Sequence, residues 1–271
     1  MPSGDTIGLG RPGKICIDPG HGGRDSGAYV NGIVEKDWNL KIALNLCERL
    51  EAVGHTVVMT REGDDYVGLE ARGRFSVAQE SDLFVSVHHD DARPNTQVHG
   101  CSSFVRYESY RNGMDLGSRI TTSIDETFHR GFAYGTKCQK HWVNLGVLRG
   151  GNNDGLVTAT VVECGCLSNV EDAALVRSPG YVDRAAFAIL RGIHRHLGLT
   201  VPAEGPQPQP EPSKELLVIG SDGQVVDCEP RIANGVTRVD ITPVAAACGF
   251  VAHWRPDQPQ GPRIYLKPKE A

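Results

Sequence analysis

Three short runs rich in β-branched and apolar residues, at 15–17, 55–59 and 83–87, alternate with two stretches of helical periodicity. Strand, helix, strand, helix, strand is the signature of a mostly parallel sheet, whose right-handed crossovers lay the helices over the sheet faces. The expected fold is therefore α/β, a twisted and mostly parallel sheet flanked by helices. The first run stops at Asp18-Pro19-Gly20, which cannot continue a ladder. His21 then lies just past the strand's carboxyl end, on backbone that glycine lets bend tightly. Ligands of open α/β sheets bind at that end.

The first helix opens at VEKDW (34–38) and carries Trp38, Ile42, Leu46, Leu50 and Val53 as one apolar stripe, with Gly54 as its stop. Glu35 falls in or just before its first turn. A second helix is predicted over 69–79, with Arg72 and Arg74 on its polar side. The run at 83–87 delivers His88, His89, Asp90 and Asp91 at its end. Further along, the pattern predicts a strand at 100–107, a helix through Met114, Ile120, Ile124 and Phe128, and a short strand within 142–148. A flexible Gly- and Asn-rich segment follows at 149–153. Next come a strong strand at 156–162 ending at Glu163 and a last helix over 181–197, with Phe187, Leu190, Ile193 and Leu197 facing the core.

This reading divides the chain into a loose tail (1–13), a catalytic domain (14–200), a Pro-rich spacer (201–213, VPAEGPQPQPEPS) and a small α+β module (214–271). In the module, strands are expected at 216–219 and 263–266 and a helix at 242–248, with Trp254 anchoring a small core. A unit of that size is marginally stable alone, which makes it a satellite of the larger domain.

A formal net charge of −5 gives no general attraction to nucleic acid, and no run of about 18 apolar residues is present to span a bilayer. The first residues carry no charged segment followed by an apolar one, so no secretory leader is expected. The eight cysteines do not form a disulfide framework in a chain of 271 residues. Cys16 and Cys47 fall on apolar faces, where free Cys packs as a small hydrophobe. Cys164 and Cys166 lack the two-residue gap of common zinc knuckles. Reduced, buried thiols point to synthesis in a reducing compartment.

Three candidate ligands leave separate elements at one edge of the sheet: His21 after the first strand, Glu35 at the first helix and His88 after the third strand. Two imidazoles and one carboxylate suit a single Zn²⁺, which keeps a fourth position open when catalytic. Glu163 reaches the same edge from another strand, where an acid that is not a ligand serves metal-assisted hydrolysis. Each residue alone has a plainer reading. Glu35 suits any helix N-terminus, and Glu163 could be an exposed strand end.

The segments DPGHGGRDSGA (18–28), VEKDWNL (34–40), TREGDDYVGLEARGR (60–74), FVSVHHD (84–90) and VVECGCLSNVED (161–172) occur in order. Together they resemble the zinc-dependent N-acetylmuramoyl-L-alanine amidases of the Amidase_3 type, found in bacterial autolysins and phage endolysins. The resemblance covers roughly residues 14–198. It implies zinc ligation by His21, Glu35 and His88 and a catalytic Glu163. The implied substrate is peptidoglycan, cut between N-acetylmuramic acid and the first L-alanine of the stem peptide. Asp18 and Asp90 are expected to orient ligand histidines. His89 stands where the family has a small residue, which sets up a contest with His88 for the metal. Cys164 and Cys166 replace hydroxyl or aromatic residues. The tail module is faintly similar to copper-amine-oxidase-like modules of cell-wall enzymes, which implies wall attachment or self-association but no copper site. A zinc peptidase acting within the stem peptide, and a wall-binding protein with an inactive catalytic fold, remain the alternatives. Missing a leader and carrying a tail module, the chain is expected to act as an endolysin made in the host cytoplasm and released to the wall; a secreted autolysin is the other possibility.

Overall fold

The computed structural model describes residues 10–106, 110–141, 145–148 and 157–203, together with six strand segments further on. The chain divides into two compact units, Met1–Gly205 and Pro206–Ala271.

The first unit is built in the order β1 (Lys14–Pro19), β2 (Tyr29–Val30), β3 (Ile33–Val34), α1 (Glu35–Ala52), β4 (Thr56–Met59), α2 (Leu69–Ala78), β5 (Leu83–Asp90) and β6 (Ser102–Arg106). It continues with α3 (Tyr110–Phe128), β7 (Gln139–His141), β8 (Thr158–Cys166), α4 (Val170–Val176) and α5 (Tyr181–Leu197). Six strands form one sheet in the order β4-β1-β5-β8-β6-β7. All neighbours are parallel except β6, which runs antiparallel to β8. The strands β2 and β3 make a separate small hairpin that leads directly into α1.

Side-chain alternation along the strands assigns each face of the sheet its role. On one face Ile15, Ile17, Val85, Val87, Val162 and Cys164 pack against α1, α3 and α5 in the main core. The α1 stripe supplies Ile42, Leu46 and Leu50, all without solvent exposure. Burying each such side chain is worth about 2 kcal/mol. On the other face Cys16, Phe84, Ala159 and Val161 pack with Phe75 and Val77, at the α2 side, and with Val147 and Leu148. This second layer is thinner, and the sheet's carboxyl edge opens into a cleft beside it.

Several local expectations need amending. Arg72 is not on a polar face of α2: it is among the largest fully buried side chains of the molecule, drawn in by partners on β1. The strand expected at 83–87 runs on through His88, His89 and Asp90, and its pairing with β8 shifts register between His88 and Asp90. Bulges of this kind re-aim side chains beside active sites. Of the segment 142–148, where a short strand is expected, residues 142–144 lie outside the described residues and Gly146–Leu148 is a 3-10 turn; the strand just before it is β7. Residues 149–153 lie outside the described residues. The helix α4 was not anticipated; Asn169 caps it, accepting from the N–H groups of Glu171 and Asp172. The tail is tied down from residue 10 onward, where Gly10 N donates to Leu197 O and Gly13 N to His55 Nδ1.

In the second unit, β9 (Val218–Ile219), β10 (Val225–Val226), β13 (Phe250–Arg255) and β14 (Arg263–Pro268) form a sheet in the order β10-β9-β14-β13. A further pair joins β11 (Arg231–Ala233) to β12 (Val236–Arg238). The helix expected at 242–248 and the side chain of Trp254 lie outside the described residues. No helix among the described residues is long and apolar enough to cross a membrane.

Candidate active site

His21 leaves β1 in a left-handed backbone conformation, φ 60°. A conformation so rare for a non-glycine residue has to be held by its surroundings. Two buried arginines do so by capturing the carbonyl groups of this turn. Arg72 donates to Pro19 O and His21 O, each at 2.8 Å, and Arg61 donates to Pro19 O at 2.9 Å and to Gly20 O at 2.8 Å. Asp18 balances their charge: its Oδ1 lies 2.8 Å from Arg72 Nη1, and it also accepts from the hydroxyls of Thr60 and Ser86.

Glu35 is the first residue of α1, where a carboxylate also meets the positive end of the helix dipole. Its two oxygens face two imidazoles. Oε2 lies 3.1 Å from His21 Nε2, and Oε1 lies 2.9 Å from His88 Nδ1. The two rings meet edge to face, with centroids 4.8 Å apart. Burial pushes the Glu35 carboxyl up, but the hydrogen bonds from His21 and His88 outweigh it and hold it well below the usual range. Burial lowers His21, and its contacts with Glu35 and Asp25 overcome this and raise it.

One ligand atom from each of His21, Glu35 and His88 lies within 4.8 Å of the others, and this is the group of three among the described residues that could hold a metal ion. Two imidazole nitrogens and a carboxylate oxygen are donors that suit a divalent ion such as zinc. Two glycines keep the space tight. A Cβ on Gly20 would stand 2.2 Å from the His88 ring, and one on Gly27 would stand 2.4 Å from Glu35 Oε2.

A chain of hydrogen bonds supports this cluster from behind. Asn39 Nδ2 donates to Glu35 Oε1 at 3.0 Å, and Asn39 Oδ1 lies 2.9 Å from His89 Nδ1. His89 Nε2 in turn lies 2.9 Å from Tyr181 Oη. His89 therefore points into the core face while His88 points into the cleft, as alternation along β5 requires. Burial pushes the His89 imidazole down to about 4.

The cleft has a volume of about 540 Å³, and His21, His88, Asp90, Tyr134 and Glu163 contribute its polar lining. Glu163 pairs in register with His88 across β5 and β8, so both project from the same face at the carboxyl edge. Its Oε2 is buried with no hydrogen-bond partner among the described residues. Burial, then the charges of Glu35 and Asp90, push its carboxyl well above the ordinary value. An unpartnered acid with a raised pKa in a cleft is a general acid/base candidate.

The expected orienting roles are distributed differently. Asp18 holds Arg72 and two hydroxyls and touches neither imidazole, and Asp90 accepts from Tyr134 Oη at 2.7 Å instead. Besides Glu35 itself, the carboxylate that meets a candidate ligand histidine is Asp25, 2.9 Å from His21 Nδ1; its position at i+4 in a glycine-rich loop gave little sign of this. Cys164 is buried in the main core, and Cys166 Sγ contacts Ser168 Oγ. Neither joins the candidate metal group.

A model of the N-acetylmuramoyl-L-alanine amidase family, Amidase_3, matches residues 15–195. The germination-specific N-acetylmuramoyl-L-alanine amidase of Bacillus subtilis (strain 168) is 29% identical over 199 residues, covering 68% of this chain and 80% of its own. The endolysin of Bacillus phage SPP1 is 31% identical over 214 residues, covering 77% of this chain and 76% of its own. Among solved structures, the N-acetylmuramoyl-L-alanine amidase of Clostridium difficile 630 superposes with a TM-score of 0.62 at 26% identity, covering 69% of this chain and 97% of that one.

Proposed function

Because the chain belongs to the N-acetylmuramoyl-L-alanine amidase family, we propose that it is a zinc hydrolase of peptidoglycan. The bond cut joins the lactyl group of N-acetylmuramic acid to the first L-alanine of the stem peptide. The reading rests above all on one juxtaposition: His21, Glu35 and His88 gathered within ligand reach, with the unpartnered Glu163 carboxyl on the wall of the same cleft.

In this reading His21, Glu35 and His88 hold one Zn²⁺. Zinc in such a site supplies a Lewis acid that polarises the scissile carbonyl and acidifies water. Glu163 takes a proton from the attacking water and returns it to the departing alanine nitrogen, so one residue serves as base and then as acid. The cleft's apolar residues, among them Leu69, Leu145 and Val147, exclude bulk water and strengthen these charge interactions. Arg72, Arg61 and Asp25 keep His21 in place throughout.

The proposed site of action is the bacterial cell wall, reached in the manner of an endolysin; the likeness to the phage enzyme supports this route. The unit Pro206–Ala271 is assigned to wall attachment or self-association.

Glu163→Gln keeps the shape of the side chain and removes its acid–base chemistry. It is expected to retain one zinc ion per chain while losing about 10²- to 10⁴-fold in turnover. Mass analysis of a digest of purified peptidoglycan supplies the second check. Intact stem peptides with a free L-alanine amine are expected; cleavage inside the stem would replace the amidase with a peptidase, and absence of any product would leave a binding protein.

A further inference from the structure

Tyr134 is the residue of the cleft that folding alone does not explain. It sits in a 3-10 turn, Ala133–Gly135, with φ 57° and ψ 18°, a left-handed conformation that glycine or asparagine would adopt at lower cost. The residue is 52% exposed, so core packing does not offset that cost. The turn is nevertheless anchored: Ala133 N donates to Cys101 O at 2.9 Å, and Gly135 N donates to Phe132 O at 3.0 Å.

What the strain secures is a position. Tyr134 reaches the cleft lined by His21, His88 and Glu163, and its hydroxyl donates to Asp90 Oδ2 at 2.7 Å. Asp90 Oδ1 in turn accepts from the N–H of Asp91 at 2.7 Å, which fixes the carboxylate. With its proton committed to Asp90, the phenol oxygen offers only lone pairs, and Asp90 likewise only accepts. This wall therefore suits a hydrogen-bond donor and disfavours an anion, while Leu69, Leu145 and Val147 of the same cleft suit methyl groups. A muramoyl-peptide carries both: N–H and O–H donors beside the lactyl and alanyl methyls.

Resting on the amidase reading above, we propose that Tyr134, held by Asp90, is a substrate-binding residue whose phenol oxygen accepts a hydrogen bond from an N–H or O–H of the muramoyl-peptide. Its contribution is to affinity and placement, and the proton transfers stay with Glu163.

The test uses the full chain and two soluble probes, N-acetylmuramoyl-L-alanyl-D-isoglutamine and the same peptide acylated by lactate without the sugar. Tyr134→Phe is expected to raise KM by about 5- to 10-fold and to leave kcat within about twofold, the pattern of a lost uniform binding contact. Tyr134→Asn, which tolerates the left-handed backbone, is expected to raise KM further with the unfolding midpoint unchanged. An effect on both probes assigns the donor to the peptide, and an effect only with the sugar present assigns it to the sugar; either supports the proposal. Wild-type KM in both variants would overturn it, as would a rise in KM matched by loss of zinc or of folding. Calorimetric binding of the first probe, measured with and without Tyr134→Phe in a Glu163→Gln background, separates the two readings. A wild-type chain that binds but never cleaves refutes the amidase assignment, and the affinity ratio still decides Tyr134. A probe that does not bind at all refutes both.

Discussion

Arg72 Nη1 lies 2.8 Å from Asp18 Oδ1 in a pair almost wholly removed from solvent, with 2% and 0% of the two side chains exposed. Such a pair gains little over a well-packed apolar one, because both charges lose their hydration. Its value here is placement. The same guanidinium holds Val67 O, Pro19 O and His21 O, so one side chain of α2 fixes the turn that presents His21.

Removing one partner leaves the other charge buried and unpaired. Arg72→Met is therefore expected to cost about 3–5 kcal/mol in urea denaturation. Arg72→Lys keeps the charge but cannot reproduce the planar set of donors, and it should fold yet bind zinc more weakly. Unchanged stability in Arg72→Met would mean that water reaches Asp18.

His88 and His89 separate in a different experiment. His88→Ala is expected to abolish stoichiometric zinc binding while leaving the fold largely intact, since this ring faces the cleft. His89→Phe should retain zinc and lose about 1–3 kcal/mol, because Asn39 and Tyr181 are left without their buried partner. Zinc stoichiometry and a denaturation curve on each variant read both effects. The reverse pattern would exchange the two roles.

The sequence made some of this legible and hid the rest for physical reasons. His88 and His89 stand in contest when only the motif is read, yet strand alternation carries the signal that divides them: Leu83, Val85 and Val87 face the helices, and the buried His89 shares their face. The period-four stripe of α1 likewise located the helix and put Glu35 at its start. Arg72 was misplaced because α2 has no comparable stripe, and the guanidinium's partners at Asp18, Pro19 and His21 lie more than 50 residues earlier. Local spacing carries no trace of such contacts. The helix α4 carries a readable start signal in Asn169 followed by Glu171 and Asp172, but at seven residues it has no apolar periodicity to extend that signal. Tyr134 could not be found this way, since its strain and its bond to Asp90 exist only in the folded chain.

At the opposite edge of the sheet, His55 and His194 predict how stability follows pH. Gly13 N donates to His55 Nδ1 at 3.1 Å, so that nitrogen is unprotonated, and Nε2–H is left to donate to His194 Nε2, also at 3.1 Å. His194 Nδ1 in turn lies 2.8 Å from Thr200 O, so a single run of imidazole contacts joins Gly13 to Thr200. Burial, followed by the neighbouring His194, lowers the His55 pKa below its ordinary 6.5. A base whose folded pKa is depressed binds its proton first in the unfolded chain, so its stabilisation is complete above about pH 6.5 and is lost as pH falls through the folded value. The unfolding midpoint is therefore expected to hold at neutral pH and to drop as pH falls below about 6.5. His55→Phe should start from a lower midpoint at neutral pH, having lost the bond to Gly13, and should show a shallower decline. Thermal melts across that range, taken with zinc saturating in both proteins, test this; parallel slopes would place the titration elsewhere.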